Sequence, residues 1–387
     1  MRLALFGVGQ LARMMAQAAR TLDIDCVFIR MGSESTQCID GLGDVVLLDS
    51  YCDDKGNYQT AELYEALGKP QCVTVEKENV PVEALIALQD YCNVHPCPSA
   101  IEATQHRGKE KQLLEKLQIP TTKFAIVHKP SDLLAGAEKV GYPLFAKSLV
   151  NGYDGKNQWQ IRNDEELSQL EPQFPAGGVV LEARVNFQRE ISFIGVRDHN
   201  GNFECYPVVE NRHEEGVLIA SIAPAQEVAK DLVAQGETYL RKLMTHWQYV
   251  GVLAMECFLT DTDLLINELA PRVHNSGHWT LQAGVNSQFE NHVRAVCGLP
   301  LASTAVTGYL GMVNILGYFQ EQQQSQLSTL DVDLYLYQKT SKPRRKIGHV
   351  ALKNSNYQEL TKALKEVELV IYPDQNEQNS GSNSLAS

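Results

Sequence analysis

Apolar runs alternate with amphipathic segments through roughly the first hundred residues. The opening segment, LALFGVGQLARMMAQAART, predicts a strand, a glycine turn and a helix with apolar positions at helical spacing. The next segments predict a strand, a second strand, a helix and a third strand, namely DCVFIR, GDVVLLDS, TAELYEAL and CVTVEKENVP. This alternation predicts a small α/β domain with a parallel sheet over residues 1–98.

The pattern changes after the turn PCPSA, which we interpret as a domain boundary. The segment HRGKEKQLLEKLQIP predicts a charged amphipathic helix that Pro120 ends. Beyond it we expect a long helix at AKDLVAQGETYLRKLMTHW, a closing helix near SQFENHVRAVCGLP, and strands at YPLFAKSL, QWQI, GVVLEARV, REISFIGVR and FECYPVVE. GVLAMECFLT and DLLINELAP should form a hairpin across TDTD. Together these segments predict an α+β domain over residues 99–300.

The last part of the chain returns to short strands. Segments such as GYLGMVNILG and VDLYLYQK predict a small β-rich domain over residues 301–373. Residues 374–387 are polar and of low complexity, so we expect a disordered tail there.

Composition and charge narrow the class of protein. The formal net charge of the 387 residues is −13, which argues against general nucleic-acid binding because that function needs a basic surface. The sequence contains no run of 18 apolar residues, so we expect no membrane span. Nine scattered cysteines fit reduced thiols and a cytoplasmic location better than a disulfide framework.

The predicted hairpin places two acidic residues opposite each other. Glu256 and Glu268 each lie six residues from Thr262, where we centre the turn, and directly opposed side chains have Cβ atoms about 5 Å apart. Two carboxylates that close are destabilising unless one is protonated or a cation lies between them. Oxygen ligands favour a hard ion, so we expect Mg²⁺ with phosphate ligands, next to Asn267. The alternative is a pair of surface glutamates that face solvent.

A glycine-bearing connection, SLVNGYDGKNQWQI, follows the strand that contains Lys147. Glycines let backbone N–H groups approach phosphate oxygens, and a lysine inside an apolar strand favours a nearby anion. Together with the acidic hairpin, these features predict an ATP–Mg²⁺ site that is not of the Walker type, because the sequence lacks G-x-x-x-x-G-K-[ST]. The alternative is an ordinary β-turn after a strand whose lysine reaches solvent.

Two further segments are candidates for phosphate binding. GVGQLA partly matches a dinucleotide fingerprint, but the second strand ends at Arg30 instead of an acid, so we interpret it as a helix N-terminus that presents N–H groups to a phosphate. Its alternative is a tight turn without a ligand. KTSKPRRKIGH, residues 339–349, is a basic cluster that could clamp a sugar phosphate or form a solvated loop.

The segment INELAPRVHNSGHWT crowds charged and hydrogen-bonding side chains at the end of a strand. Through GVGQLARM, TVEKENVP, NGYDGKNQW, AMECF, this segment and RRKIGH, residues 1–373 resemble the N5-carboxyaminoimidazole ribonucleotide synthetases, the PurK family. The resemblance implies an ATP-grasp fold with a Rossmann-like N-terminal domain, and a homodimer. It also implies an ATP-dependent carbon–nitrogen ligase of purine biosynthesis, which uses bicarbonate to carboxylate the exocyclic amine of 5-aminoimidazole ribonucleotide.

The same resemblance implies roles for individual residues. For ATP it implies phosphate contacts from Arg107 and Lys147, a loop of Gly152, Tyr153, Asp154, Gly155, Lys156, Asn157 and Gln158, an adenine hinge of Glu182, Ala183, Arg184 and Val185, and further contacts from Glu190, His213, Asn267 and Glu268. The implied Mg²⁺ ligands are Glu256 and Glu268. For bicarbonate and the imidazole it implies Tyr153, Asp154, Lys156, Arg272, His274, Asn275 and Ser276, and for the ribose phosphate Gln10, Leu11, Glu76, Lys339, Arg345 and Lys346.

Among these residues we expect Arg272 to stabilise a carboxyphosphate intermediate, and either Asp154 or His274 to accept or orient a proton. The loop departs from the family pattern G-G-Y-D-G-R-G-Q at Asn151, Lys156 and Asn157. These changes should affect loop rates and affinity more than the reaction. Three alternatives stay open at this point: another ATP-grasp ligase such as a formate-dependent glycinamide ribonucleotide transformylase, a NAD(P)-binding oxidoreductase, and a catalytically inactive regulatory binder.

Overall fold

The computed structural model describes residues 1–150, 157–282 and 284–373. Within residues 1–98 it has one parallel sheet of five strands, in the order β3-β2-β1-β4-β5, which confirms the predicted α/β domain. The strands are β1 (Arg2–Phe6), β2 (Asp25–Arg30), β3 (Asp44–Leu47), β4 (Cys72–Val75) and β5 (Asn93–Val94). The helices that pack on them are α1 (Gln10–Thr21), α2 (Thr60–Ala66) and α3 (Val82–Leu88).

A small antiparallel sheet follows, with four strands among the described residues in the order β6-β9-β7-β8. Its strands are β6 (Phe124–Val127), β7 (Leu144–Ser148), β8 (Gln158–Ile161) and β9 (Val179–Ala183). The helices of this part are α4 (Pro98–Thr104), α5 (Arg107–Lys116), α6 (Leu133–Val140) and α7 (Asp164–Ser168). Helix α5 begins at the base of this sheet and carries the charged face that the sequence predicts.

The second antiparallel sheet, called here the long sheet, has nine strands within the described ranges. Eight of them follow the order β15-β14-β10-β12-β13-β16-β18-β17, and β11 pairs with β10. Its strands are β10 (Arg189–Arg197), β11 (Phe203–Cys205), β12 (Val209–Glu214), β13 (Val217–Ala223), β14 (Gly251–Leu259), β15 (Leu264–Ala270), β16 (Tyr309–Leu316), β17 (Asp333–Leu336) and β18 (Lys346–Asn354). Its helices are α8 (Lys230–His246), α9 (Gln288–Val296), α10 (Glu321–Leu327) and α11 (Tyr357–Ile371).

The long sheet continues without a break across residue 301, where we predicted a domain boundary. Strand β16 pairs with β13 on one edge and with β18 on the other. Both faces of β16 are buried, so the strand needs neighbours on both edges and packing on both faces. The predicted strand FECYPVVE is instead two strands, because the chain turns between β11 and β12 around Pro207, which cannot donate a ladder hydrogen bond.

Helix α11 is a long helix that was not predicted, and it lies in the part of the chain that we expected to be β-rich. Its buried positions are Leu360, Leu364, Val367 and Ile371, which follow a helical spacing and cover β16 and β18. Among the described residues, none of the helices has both the length and the apolar character needed to cross a membrane.

The N-terminal sheet is fixed to the long sheet through a buried histidine on α9. Nδ1 of His292 accepts a hydrogen bond from the Val252 backbone N–H at 3.0 Å, and Nε2 lies 2.7 Å from the Thr74 hydroxyl. Because Nδ1 accepts, the neutral ring carries its proton on Nε2 and donates it to Thr74. These bonds tie β4, which leads to Glu76, to β14, which contains Glu256.

Protonation of His292 should destabilise the folded protein as the pH falls. Burial lowers the pKa of His292 from 6.5 to about 3, so stability that is present above pH 6.5 is lost on the way down to pH 3. At pH 5 this residue alone should remove about 2 kcal/mol, since one pH unit corresponds to about 1.4 kcal/mol. Urea unfolding at several pH values should show a smaller loss for His292→Gln than for the parent. The exposed His246→Gln is the control, and equal pH slopes in all three proteins would contradict the prediction.

Candidate active site

The two acidic residues of the hairpin lie opposite each other, as predicted. In the pairing of β14 with β15, Glu256 is opposite Glu268, whereas the next residue, Cys257, is opposite Ile266. Asn267 is therefore an extra residue on β15, a β-bulge. Without this bulge, Glu256 would face Asn267, so the bulge is what brings the two carboxylates together.

The carboxylate of Glu256 is poorly solvated and close to other ionisable groups. Its side chain is 13% exposed, compared with 48% for Glu268. Burial and the charge of Glu268 raise the pKa of Glu256 to about 7. Its Oε1 lies 3.3 Å from Nε2 of His274. A divalent cation between the two carboxylates would offset the repulsion that raises this pKa, so the pair fits a metal site.

Two positively charged side chains lie near Glu268, the more exposed acid of the pair. Nζ of Lys147, on β7, lies 2.5 Å from Oε2 of Glu182 and 3.4 Å from Oδ1 of Asn267. The guanidinium of Arg107, in the first turn of α5, lies 4.0 Å from the Glu268 carboxylate. The small sheet and α5 therefore bring both predicted phosphate-binding cations to the bulge.

The side chain of Glu182, in the predicted adenine hinge, belongs to a buried charge network. It is 3% exposed, and its Oε1 lies 2.7 Å from Nζ of Lys111. Burial raises the pKa of Glu182, but Lys111 and Lys147 lower it by more, so the carboxylate is ionised. The next two hinge residues, Ala183 and Arg184, donate backbone hydrogen bonds within the protein at 2.9 and 3.0 Å. Val185 follows them in the turn that leads to β10.

The two residues predicted to contact the ATP ribose and its surroundings lie together. Oε2 of Glu190, on β10, is 2.7 Å from Nδ1 of His213, on β12. Burial lowers the pKa of His213, but contact with Glu190 and the charge of Glu256 outweigh burial and raise the pKa above its ordinary value. His213 therefore carries more positive charge at neutral pH than an ordinary histidine does.

Arg272, just after β15, is held by an acidic residue of the N-terminal domain. Its Nε donates to Oε2 of Glu78 at 2.7 Å, and its NH1 donates to the carbonyl of Val273 at 3.2 Å. Burial opposes both charges, yet the ion pair raises the pKa of Arg272 and lowers the pKa of Glu78. A guanidinium has five N–H donors, so Arg272 can bind an anion while it keeps both bonds.

His274 is hydrogen bonded in a way that fixes its tautomer. Its Nδ1 accepts from the Ser276 backbone N–H at 3.3 Å and lies 2.8 Å from the Ser276 hydroxyl. The neutral ring then carries its proton on Nε2, on the side of Glu256. Burial and the charge of Arg272 hold the pKa of His274 well below its ordinary value. These contacts favour His274 as an orienting group over His274 as a proton acceptor.

Two residues predicted to line the substrate pocket make bonds within the protein. The side-chain amides of Asn275 and Asn314 exchange two hydrogen bonds, at 3.0 and 2.9 Å. Ser276 is fully buried, and its hydroxyl contacts His274. These side chains hold the segment after β15 against β16, so any contact with a substrate would be additional to these bonds.

The N-terminus of α1 already binds a carboxylate. The backbone N–H groups of Gly9 and Ala12 donate to the two oxygens of Glu76 at 2.5 and 2.9 Å. A Cβ atom at Gly7 would overlap the Glu76 side chain, which explains the glycine there. The prediction that these N–H groups face a phosphate is therefore wrong for Gly9 and Ala12. Leu11 is 8% exposed and packs into the core.

The basic cluster at residues 339–349 divides between three locations. Lys339 donates a hydrogen bond to the side chain of Gln10, so two residues predicted to hold the ribose phosphate lie together. Lys346 begins β18, and its charge acts on the Glu256 carboxylate, whose pKa it lowers against the larger effect of burial. Arg344 instead pairs with Glu215, whose side chain is 78% exposed, so the solvated-loop alternative fits that residue.

The predicted glycine loop lies largely outside the described residues, which do not include Gly152, Tyr153, Asp154, Gly155 and Lys156, nor the predicted tail at 374–387. Asn157 has a φ of 55°, and its carbonyl accepts a hydrogen bond from the Ser148 N–H at 3.0 Å. Gln158 begins β8 directly opposite Lys147. The described residues that follow the loop therefore lie beside Lys147.

Three charged residues near the site were missed in the sequence: Glu78, Glu110 and Lys111. Glu110 and Lys111 follow Arg107 by three and four residues, so helical spacing places them on the same face. Both are buried, and burial raises the pKa of Glu110 to about 8. That spacing could have identified Glu110 and Lys111 from the sequence. Glu78 could not be found in this way, because its partner, Arg272, is 194 positions away.

Family models match three successive parts of the chain. Residues 1–105 match the ribonucleotide synthetase preATP-grasp domain, and residues 112–289 match the ATP-grasp domain. Residues 311–363 match the phosphoribosylaminoimidazole carboxylase C-terminal domain. The three matched parts include the N-terminal sheet, the small sheet and most strands of the long sheet.

Named proteins are similar to the chain over nearly its whole length. The chain is 36% identical to the N5-carboxyaminoimidazole ribonucleotide synthase of Pseudomonas aeruginosa, over 96% of this chain and 99% of that one. The crystal structure of the N5-carboxyaminoimidazole ribonucleotide synthetase from Thermus thermophilus matches with a TM-score of 0.86 and 36% identity, over 96% and 98% of the two chains. An ADP complex of a PurK synthetase matches with a TM-score of 0.86 and 33% identity, over 95% and 96%. The sheet order, the opposed glutamates and these matches show that the chain belongs to the N5-carboxyaminoimidazole ribonucleotide synthases, a family of ATP-grasp ligases.

Proposed function

We propose that this protein uses ATP and bicarbonate to carboxylate the exocyclic amine of 5-aminoimidazole ribonucleotide. The products are N5-carboxyaminoimidazole ribonucleotide, ADP and phosphate. The observation that carries the proposal is the bulged hairpin, which sets Glu256 opposite Glu268 with Lys147 and Arg107 nearby. As an extension of the family resemblance, we propose a cytoplasmic homodimer.

The carboxylate pair suits Mg²⁺ that is bound together with nucleotide phosphates. Over the described ranges, no group of three or more histidine, cysteine, aspartate or glutamate side chains is placed to hold a metal. Mg²⁺ needs few protein carboxylates when phosphate oxygens and water complete its coordination, and Glu256 and Glu268 would supply two. When bound, Mg²⁺ would offset the negative charge that develops on the phosphate during phosphoryl transfer.

The protein's own residues would bind the nucleotide along the edge of the small sheet. Lys147 and Arg107 would bind phosphate oxygens by charge-assisted hydrogen bonds. Glu190 would accept hydrogen bonds from the ribose hydroxyls, and the positive charge of His213 would remain close to the phosphates. The ADP complex of the similar PurK synthetase supports a nucleotide site in this fold.

Arg272 is placed to stabilise the first product of the reaction. An oxygen of bicarbonate would attack the γ-phosphorus, and the bond between the γ-phosphorus and the β,γ-bridging oxygen would break. ADP is then the leaving group, and carboxyphosphate would remain bound in the site. Because Glu78 holds Nε of Arg272, the guanidinium is oriented before the anion arrives. Charge-assisted bonds from its other N–H groups would stabilise carboxyphosphate and hold it away from water.

In the second half of the reaction the amine would attack the carboxyl carbon, phosphate would leave, and the amine would lose one proton. His274 would orient this end of the site, because its Nδ1 already accepts from Ser276 and its Nε2 proton faces Glu256. We therefore favour Asp154, which lies outside the described residues, as the group that accepts the proton.

The experiment that tests the function is measurement of ADP release with each substrate omitted in turn. Full turnover should require ATP, bicarbonate and 5-aminoimidazole ribonucleotide together. Turnover with formate and glycinamide ribonucleotide would instead identify a transformylase. Reduction of NAD(P)⁺ would identify an oxidoreductase, although Arg30 at the end of β2 stands where a ribose-binding acid would be expected.

Arg345→Ala should weaken binding of the ribonucleotide without a comparable effect on ATP. A hydrogen bond to a charged group is worth about 1.5–3 kcal/mol. The KM for 5-aminoimidazole ribonucleotide should therefore rise about ten- to a hundredfold, and the KM for ATP should stay near that of the parent. Steady-state kinetics with each substrate varied separately will measure both. Arg344→Ala is the matched control, because the Arg344 side chain is next in sequence but pairs with Glu215. Equal rises in both KM values would contradict the assignment.

A further inference from the structure

We infer that Lys111 is a positioning residue for the phosphate and metal sites. Lys111 shares the Glu182 carboxylate with Lys147, and it holds the bulge that places Glu268. The inference rests on the proposed function, because it concerns how the nucleotide and its cation are bound.

Lys111 is buried, and its ammonium group makes several hydrogen bonds within the protein. It is 2% exposed, and its Nζ lies 2.7 Å from Oε1 of Glu182 and 2.8 Å from the Thr121 hydroxyl. The same nitrogen donates to the carbonyls of Asn267 at 2.9 Å and Ile266 at 3.3 Å. An ammonium group has three protons, so these contacts use its whole donor capacity and leave none for a ligand. Lys111 therefore acts through the residues that it holds.

The first consequence concerns charge at the phosphate site. The Glu182 carboxylate lies between two ammonium groups, with Lys111 on one oxygen and Lys147 on the other at 2.5 Å. The three groups together carry one net positive charge. If Lys111 were absent, Glu182 would cancel the charge of Lys147, which is the predicted phosphate ligand. Lys111 thus keeps a positive potential at the phosphate site.

The second consequence concerns the shape of the hairpin. A β-bulge leaves one residue outside the ladder, so its backbone groups need other partners. On β15 that residue is Asn267. Lys111 donates hydrogen bonds to the backbone carbonyls of Asn267 and Ile266. The residue after the bulge is Glu268, whose position opposite Glu256 depends on the bulge. Loss of Lys111 should therefore weaken Mg²⁺ binding as well as phosphate binding.

The test is calorimetric titration of the full-length protein with ADP, in the presence and absence of Mg²⁺. Lys111→Met keeps most of the side-chain volume and removes the charge. We expect it to bind Mg²⁺–ADP about ten- to a hundredfold more weakly than the parent. Lys116→Met, an exposed position on the same helix, is the matched control and should bind like the parent.

A double variant separates the two consequences. Lys111→Met combined with Glu182→Gln restores one net positive charge at Lys147 and removes the buried carboxylate that Lys111→Met would leave short of a partner. Relative to Glu182→Gln alone, which accounts for any contact of Glu182 with the nucleotide, the double variant should lose no more than about threefold in Mg²⁺-free ADP affinity. The gain in affinity that Mg²⁺ gives should stay reduced, because the carbonyl of the bulged residue Asn267 still lacks the Lys111 donor.

The outcomes are distinct. A folded Lys111→Met protein that binds Mg²⁺–ADP as tightly as the parent would overturn the inference. A loss of Mg²⁺-free affinity of about tenfold or more in the double variant, relative to Glu182→Gln alone, would also overturn it, and that comparison decides the matter if Lys111→Met alone does not fold. Failure of the parent itself to bind Mg²⁺–ADP would instead overturn the proposed function.

Discussion

Glu268→Gln should reduce substrate-dependent ADP release about a thousandfold, since removal of one group that stabilises transition-state charge costs about 10²–10³ in rate. The amide keeps the shape of the side chain but lacks the negative charge that a hard cation requires. The same change relieves repulsion with Glu256, whose pKa of about 7 reflects burial and that repulsion. The unliganded variant should therefore be at least as stable as the parent, although it is nearly inactive.

Two measurements test this expectation together. Turnover at increasing Mg²⁺ concentration should show that excess metal restores little activity, and thermal unfolding without ligands should show no loss of Tm. Glu115→Gln, an exposed position on α5, removes the same charge away from the hairpin and should behave like the parent. Normal turnover of Glu268→Gln at limiting Mg²⁺ would remove Glu268 from the metal site.

Arg272→Lys should lower the rate of carboxylation by about a hundredfold or more, in the range found when one preorganised donor to a developing anion is removed. Lysine keeps the charge but lacks Nε and the planar fork, so it cannot both bind Glu78 at 2.7 Å and present paired donors to carboxyphosphate. Some ATP hydrolysis without carboxylation should persist, because an intermediate that is held less well is lost to water. The ratio of carboxylated product to ADP therefore reports the effect.

The control for this change comes from the same chain. Nε of Arg294 donates to Glu290 at 2.7 Å, the same geometry on helix α9. Arg294→Lys should leave the ratio of product to ADP unchanged. A ratio that stays near one in Arg272→Lys would show that Arg272 does not hold the intermediate.

The opposed glutamates could be predicted from the sequence, but not for the correct reason. Counting from Thr262 puts Glu256 opposite Glu268 in a regular hairpin, whereas the turn bonds join Thr260 to Asp263 and displace the register by one residue. The bulge at Asn267 then restores the pairing. The local pattern contained the two acids, but not the bulge, whose Asn267 carbonyl accepts a hydrogen bond from Lys111 on α5.

Contacts between distant parts of the chain account for most of what the sequence did not show. Local periodicity predicts β1 to β4, α1 and α2 of the N-terminal domain, but not α3 and β5. It also predicts α5, α8 and the hairpin. The bond between Glu78 and Arg272 joins residues 194 positions apart, and Lys111 reaches β15 across 156 positions. Glu76 is another such case. The sequence predicted a phosphate site at the start of α1, but the Glu76 carboxylate accepts the hydrogen bonds of the N–H groups there.

The unbroken long sheet has a consequence for substrate choice. Strand β18, which begins at Lys346, and the β14–β15 hairpin belong to one hydrogen-bonded sheet, with no linker between them. Under the proposed function, the start of β18 binds the sugar phosphate and the β14–β15 hairpin holds the reacting centre. Because both belong to one hydrogen-bonded sheet, the distance between these two sites is fixed, and it limits the length of a substrate that can occupy both. A ribonucleotide analogue lengthened by a single methylene between phosphate and amine would fit only one of the two sites.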